Sequence, residues 1–229
     1  MANKVPRKTA EEAGSGSRLS DIAYARILAA LFERRLPAGS FVSQGEMVEL
    51  TGIPIAPVRD ALRVLEAEGV LVIHPRTGIQ LVKPGMELTR STYQFRGVIE
   101  AAAVAAYAQT ASEAEIETLD KRHVAIAKRL EKVGLTPEIL AELEILEDLL
   151  HGSIVSSLSN PLIDTSYRRI RNYIRLIQLD RRLTPPLVLR SLKEHRAIIE
   201  ACRKRDVAKA VEALQSHFSA ALQRALGLY

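Results

Sequence analysis

From Leu88 to Leu226 the apolar residues recur only at helical spacing, and no stretch alternates as a half-buried strand does. A segment of that length with a single period can bury its apolar faces only by packing helix on helix, so it must fold as a helical bundle. Breaks at Ser112, Gly134 to Pro137, Asn160-Pro161, Pro185-Pro186 and Asp206 divide it into six helices, roughly 88–109, 112–132, 136–158, 161–182, 186–204 and 206–226. The first is rich in alanine (Ala101, Ala102, Ala103, Ala105 and Ala106), which lets another helix approach closely and makes it a candidate dimer interface.

The first third of the chain follows a different rhythm. Residues 1–18 have almost no large apolar side chain and end in Gly-Ser-Gly-Ser, so they are expected to be a disordered tail. A helix over Ser20 to Arg35 buries Ile22, Ile27, Leu28, Leu31 and Phe32. After the turn Leu36-Pro37-Ala38-Gly39, Ser43 and Glu46 form a capping box that opens a second helix. The third helix is the stretch from Pro54 to Gly69, with Pro57 as its first helical residue. Its apolar face is Val58, Ala61, Leu62 and Leu65, while Arg59 and Arg63 project from the other side. Val70 to Ile73 and Ile79 to Val82 then read as two strands around His74-Pro75-Arg76-Thr77-Gly78. Three helices followed by a hairpin are the order of a winged helix-turn-helix. The predicted organisation is therefore mainly α: a tail over 1–18, a winged helix-turn-helix over 19–84 and an all-α antiparallel six-helix bundle over 85–229.

Composition excludes several function classes. The chain is 47% hydrophobic and 26% charged, as in ordinary globular proteins. It has no apolar run long enough for a membrane span and no apolar signal segment, so a cytoplasmic protein with no membrane partner is expected. The single cysteine, Cys202, cannot form an intramolecular disulfide. A net charge of +5 is compatible with nucleic acid. The first 84 residues hold 11 basic and 9 acidic side chains, so any basic footprint there must come from placement rather than surplus.

Three histidines carry the chemistry of the bundle. Glu147 and His151 are i, i+4 and share a helical face, with Asp148 beside them. His195 lies 11 residues before the turn at Asp206 and His217 lies 11 after it, so antiparallel helices would bring both to one height. Three imidazoles and a carboxylate at one level can bind a divalent metal; equally, each histidine can be separately exposed or hydrogen-bonded. Arg96 suits a carboxylate ligand, or a salt bridge to Glu100 one turn on. Arg168, Arg171, Arg175 and Arg182 line one stripe, which is either a solvated face or turns Arg171 or Arg175 into a pocket. His123 and His74 have no evident partner in the sequence, although His74 lies in the wing.

The motif Pro-Val-Arg-Asp-Ala-Leu-Arg-Val-Leu-Glu-Ala-Glu-Gly-Val-Leu at 57–71, followed by His-Pro-Arg-Thr-Gly-Ile-Gln-Leu-Val at 74–82, resembles the DNA-binding domain of the GntR family of bacterial transcriptional regulators. The stretches around 95–108, 147–163 and 194–218 resemble the all-helical FCD ligand-sensing domain of the FadR subfamily, and six helices suggest its VanR-like branch. The resemblance implies a dimeric repressor or activator on a palindromic double-stranded operator, and a repressor is the expectation. It further implies a divalent metal (zinc, nickel, manganese or iron) at Glu147, His151, His195 and His217, and a small carboxylate effector near Arg96; from the arginine stripe, Arg171 is expected to join it. DNA contacts would come from Arg59, Arg63, His74, Arg76 and Thr77. The chain departs from the family where Gly45 replaces a usual arginine and where Pro54-Ile55-Ala56 replaces Ser/Thr-Arg-Thr. An alternative reading is a metal-dependent hydrolase with an appended winged helix, which would need Asp148 as its spare acid or base.

Overall fold

The computed structural model describes residues 10–179 and 183–228, with side chains from Arg18 onward. Contacts divide the chain into two compact units on either side of Pro84-Gly85. Among the described residues no helix is long and apolar enough to cross a membrane.

The first unit contains α1 (Ala10–Phe32), β1 (Phe41–Val42), α2 (Gln44–Thr51), α3 (Ile55–Ala67), β2 (Leu71–His74) and β3 (Gly78–Leu81). The strands form one antiparallel sheet in the order β1-β3-β2, with Leu71 opposite Leu81 and Ile73 opposite Ile79. Its core is built from Ile27 and Leu31 of α1, Met47 of α2, Leu62 and Leu65 of α3, and Leu71, Ile79 and Leu81 of the sheet, all fully buried. Local rules set the ends. Ser43 caps α2 through the capping box with Glu46, and Gly52 closes it in the left-handed conformation at φ 62°.

Three features differ from the sequence expectation. Helix α1 begins at Ala10, so part of the expected tail is helical; Ala10, Glu11, Glu12 and Ala13 are strong helix formers, and an existing helix extends at one bond per residue. Residues 1–9 of that tail lie outside the described residues. Helix α3 begins at Ile55, placing Pro57 third rather than first, still within the turn whose N–H groups have no helical partner. Strand β1 is an addition that two residues are too short to announce by alternation.

The second unit contains α4 (Met86–Thr110), α5 (Glu113–Val133), α6 (Pro137–Ser156), α7 (Pro161–Leu179), α8 (Pro185–Arg203) and α9 (Val207–Ala225). Ser112, Thr136 and Asp206 each accept a backbone N–H at a helix start, which is why the breaks fall where they do. Successive contacts α4–α9–α8–α5–α6–α4 close a ring of five helices, and α7 lies against α4 and α6. The main core includes Val104, Tyr107, Leu150, Ile154, Ile198 and Leu214. Every helix of the ring also sends a buried polar side chain inward: Glu100 from α4, His123 from α5, His151 from α6, His195 from α8 and His217 from α9.

Candidate metal centre and DNA-contacting surface

Buried polar groups require partners, and the ring supplies all but a few. One ring nitrogen of each histidine is tied outward. His151 donates its Nδ1 proton to Glu100 Oε2 at 2.7 Å, since a carboxylate can only accept. His217 likewise donates from Nδ1 to Glu194 Oε2 at 2.9 Å. His195 Nδ1 lies 3.2 Å from His123 Nε2, and His123 Nδ1 lies 2.7 Å from the Leu119 carbonyl. That carbonyl accepts only, so His123 carries its proton on Nδ1, its Nε2 accepts, and His195 donates from Nδ1. As neutral rings, all three histidines therefore share one tautomer, with a lone pair on Nε2.

Those lone pairs converge. Ligand atoms of His151, His195 and His217 all lie within 4.8 Å of one another. The His195 and His217 ring centroids are 4.6 Å apart, in accord with their equal distances from the α8–α9 turn. The Nε2 atoms of His151 and His195 are buried with no hydrogen-bond partner. An unsatisfied buried polar atom costs roughly 1–3 kcal/mol, so two of them facing a third imidazole fit a site for a cation. Glu147 stands at the rim: its carboxylate oxygens are 3.6 Å from His151 Nε2 and 3.4 Å from His195 Nε2, and 31% of its side chain is exposed. The three histidines form the compact cluster and Glu147 borders it.

Electrostatics favour the neutral rings of His195 and His217. Burial, followed by the neighbouring His217, His151 and His123, pushes His195 well below its ordinary value. Burial also lowers His217, against the opposing hydrogen bond from Glu194. The tethering carboxylates are held ionised. Burial alone would raise Glu100, but Arg96 and His151 outweigh it and hold it at about 2. Glu194 is held at about 2 in the same way, by His217 and Arg224. This is the outer arrangement that orients metal-ligating histidines.

The arginine alternatives resolve into pairs. Arg96 Nε bonds Glu100 Oε1 at 2.5 Å, and its guanidinium carbon lies 4.4 Å from the centre of the Phe218 ring. Arg171 grips Asp148, the acid or base that the hydrolase reading would need, with two nitrogens. Both arginines still border a small cavity beside the centre. Arg175 lies 3.4 Å from Glu144. Arg168 is exposed, and Arg182 lies outside the described residues. His123, without an evident partner in the sequence, is fully buried behind His195. It falls on the apolar stripe Ile116, Leu119, His123, Ile126 and Leu130, which is the signal that marks it.

In the first unit, Arg59 projects from α3 and donates Nε to Gln44 Oε1 at 2.8 Å. Arg63 is exposed and 3.5 Å from Asp60. His74 has a partner after all, Gln80 Oε1 at 2.9 Å, and its ring centroid is 5.5 Å from that of Phe41. Arg76 and Thr77 are exposed at the hairpin turn, Arg76 with φ 68°. A side chain at Gly45 would meet only Ser43 Oγ, at 3.7 Å, so packing does not forbid the usual arginine there.

Comparison with known proteins agrees with both halves. Residues 19–81 match the bacterial regulatory proteins of the gntR family, and residues 91–220 match the FCD domain. The chain is a GntR-family transcriptional regulator with an FCD domain. This GntR regulator is 24% identical to the HTH-type transcriptional regulator YdhC of Bacillus subtilis, over 86% of each chain. Its fold is similar to that of McbR/YncC of E. coli, with a TM-score of 0.76 at 15% identity, covering 92% of this chain and 98% of the other. A GntR transcriptional regulator from Rhodococcus sp. RHA1 superimposes with a TM-score of 0.74 at 18% identity, covering 94% and 99%. The metal-free FCD domain of TM0439 matches 63% of the chain and 96% of its own length, with a TM-score of 0.52 at 21% identity.

Proposed function

We propose that this regulator is a ligand-responsive repressor of the FadR subfamily, in its VanR-like branch. It binds a palindromic operator as a homodimer, and a small organic acid at a metal site in the FCD domain modulates its affinity for DNA. Glu147, His151, His195 and His217 would hold one divalent ion, of zinc, nickel, manganese or iron. The carrying observation is the set of three outward-tethered histidines, two of them with buried, unpartnered Nε2 atoms. The solved FCD domain of TM0439 is described as metal-free, which makes metal occupancy a variable worth measuring in this fold. Bound there, the ion supplies a positive charge that attracts an acid, while Arg96 and Arg171 wall the adjoining cavity. Arg59, Arg63, His74, Arg76 and Thr77 are the DNA-contacting groups. The outward face of α4, with Phe95 and Val98 50% and 68% exposed, is the surface proposed for dimerisation.

Elemental analysis of protein purified without chelator, followed by operator binding with and without metal and acid, tests the reading. Metal uptake by the parent and its loss in His195→Ala and His217→Ala are expected. A parent that takes up none of the four metals when supplied removes the metal from the mechanism. Sedimentation showing only a 25.3 kDa monomer at micromolar concentration removes the dimer.

A further inference from the structure

Two cavities meet at Glu147, and they differ in size and in the side chains that border them. One, of about 90 Å³, is walled mainly by leucine and valine from α6 and α8, namely Leu140, Leu143, Leu146, Leu187, Val188 and Leu192. Its lining also includes Glu147 and the fully buried His195, so it opens onto the histidine cluster. The other is bordered largely by charged side chains, is only about 30 Å³, and shares Glu144, Glu147 and Gln178 with the first. That volume holds about one water.

Charge separates the two further. The arginines of the smaller cavity are already matched: Arg96 with Glu100, Arg171 with Asp148 and Arg175 with Glu144. Glu147 adds a further carboxylate to the same wall. Among the described residues, a second acid group on a ligand would meet three neutralised guanidiniums and several carboxylates, with little room. An apolar substituent would meet the leucine and valine side chains of the larger cavity.

We propose that the effector is a monocarboxylic acid with a short, branched apolar tail, its acid group facing the histidine cluster and its tail in the leucine-lined cavity. Size sets the tail. A cavity near 150 Å³ accommodates benzene, so about 90 Å³ favours a branched chain of a few carbons over a phenyl ring. The inference rests on the acid-sensing reading above and sharpens it against the di- and tricarboxylic acids that reading also admits.

The test is calorimetric titration of the full-length protein, equilibrated with nickel, with acetate, isovalerate, phenylacetate, succinate and citrate. Each buried methylene is worth about fourfold in affinity, so isovalerate should bind on the order of fiftyfold more tightly than acetate and more tightly than the other three acids. Leu187→Phe and Leu143→Phe, which fill the cavity from opposite helices, should erase the advantage of isovalerate and leave acetate unchanged. Two variants guard against one failing to fold. Tighter binding of succinate, citrate or phenylacetate than isovalerate overturns the inference while leaving an acid effector in place. So does an isovalerate advantage that survives in both folded variants. Nickel uptake with every acid silent overturns both the inference and the acid effector, and absence of nickel uptake strikes the metal reading separately.

Discussion

The two units use polar side chains in opposite ways. In the winged helix-turn-helix the groups proposed to contact DNA stand in water: Arg59 leans on Gln44, Arg63 on Asp60, and Arg76 sits at an open turn. In the FCD bundle the groups proposed to hold the metal are interior, and the histidines are tied by a second residue to a third, as in Tyr167–Glu100–His151 or Arg224–Glu194–His217. A surface that must fit an operator benefits from side chains free to re-aim. A pocket that must hold an ion benefits from rings that cannot turn. The energetic consequence follows from solvent: exposed pairs contribute little, whereas a broken buried pair leaves a charge stranded in a medium that cannot solvate it.

The contrast is most exposed to failure at Glu100. Glu100→Ala should lower unfolding free energy by roughly 3–5 kcal/mol in denaturant titrations, because Arg96 would remain buried without its partner. Arg63→Ala in the other unit should leave the midpoint unchanged; equal effects at both sites would erase the distinction. A second test separates packing from orientation. His123→Phe keeps an aromatic ring behind His195 but removes the acceptor, so metal affinity should fall by roughly 10- to 100-fold. His123→Gln, which can still accept, should recover part of it, and unchanged affinity in the phenylalanine variant would sink the tethering argument.

On the DNA side, Arg59→Ala should weaken operator binding by roughly 1–3 kcal/mol if it reads a guanine, with helical circular dichroism intact. Replacing Arg76 should reduce the salt slope by about one unit, uniformly across sequences. The smallest and broadest effect is on pH. In metal-free protein His195 and His217 titrate below their ordinary 6.5, so below that value the unfolded chain binds protons that the folded chain refuses. Stability should therefore decline as pH falls from about 6.5. Glu100 and Glu194 act in a lower window: their contribution is complete above 4.5 and is lost as pH falls towards about 2. Chemical denaturation between pH 3 and 8, with chelator, should show both declines.

Most of the fold was legible because local chemistry marks it. Proline, glycine and capping residues set the six bundle helices to within a few residues, and the periodicity of α3 identified its buried face. The geometry around Glu147, His151, His195 and His217 was legible because two of the distances are counted along single helices or across one short turn. The tethers were not. Glu100 meets His151 from another helix, Glu194 meets His217 across the α8–α9 pair, and nothing in the spacing of Arg96 chose between a ligand and Glu100. His123 was overlooked because a histidine among leucines and isoleucines looks like one more stripe residue until another helix brings His195 to it. Strand β1 was invisible for a simpler reason: two residues have no period.

The ring of helices also sets a clock. His151, His195 and His217 are almost wholly shielded, and Glu147 at the rim is the partly exposed member of the group. Were an ion held by all four, it would have several bonds to break before leaving, whereas an acid attached by one group would exchange more readily along the leucine cavity, whose wall at Leu140 reaches solvent. Residence times should then differ widely, with the ion acting over many rounds of acid exchange as a standing part of the receptor. Such a receptor would report the present level of a metabolite against a more slowly changing background of metal supply.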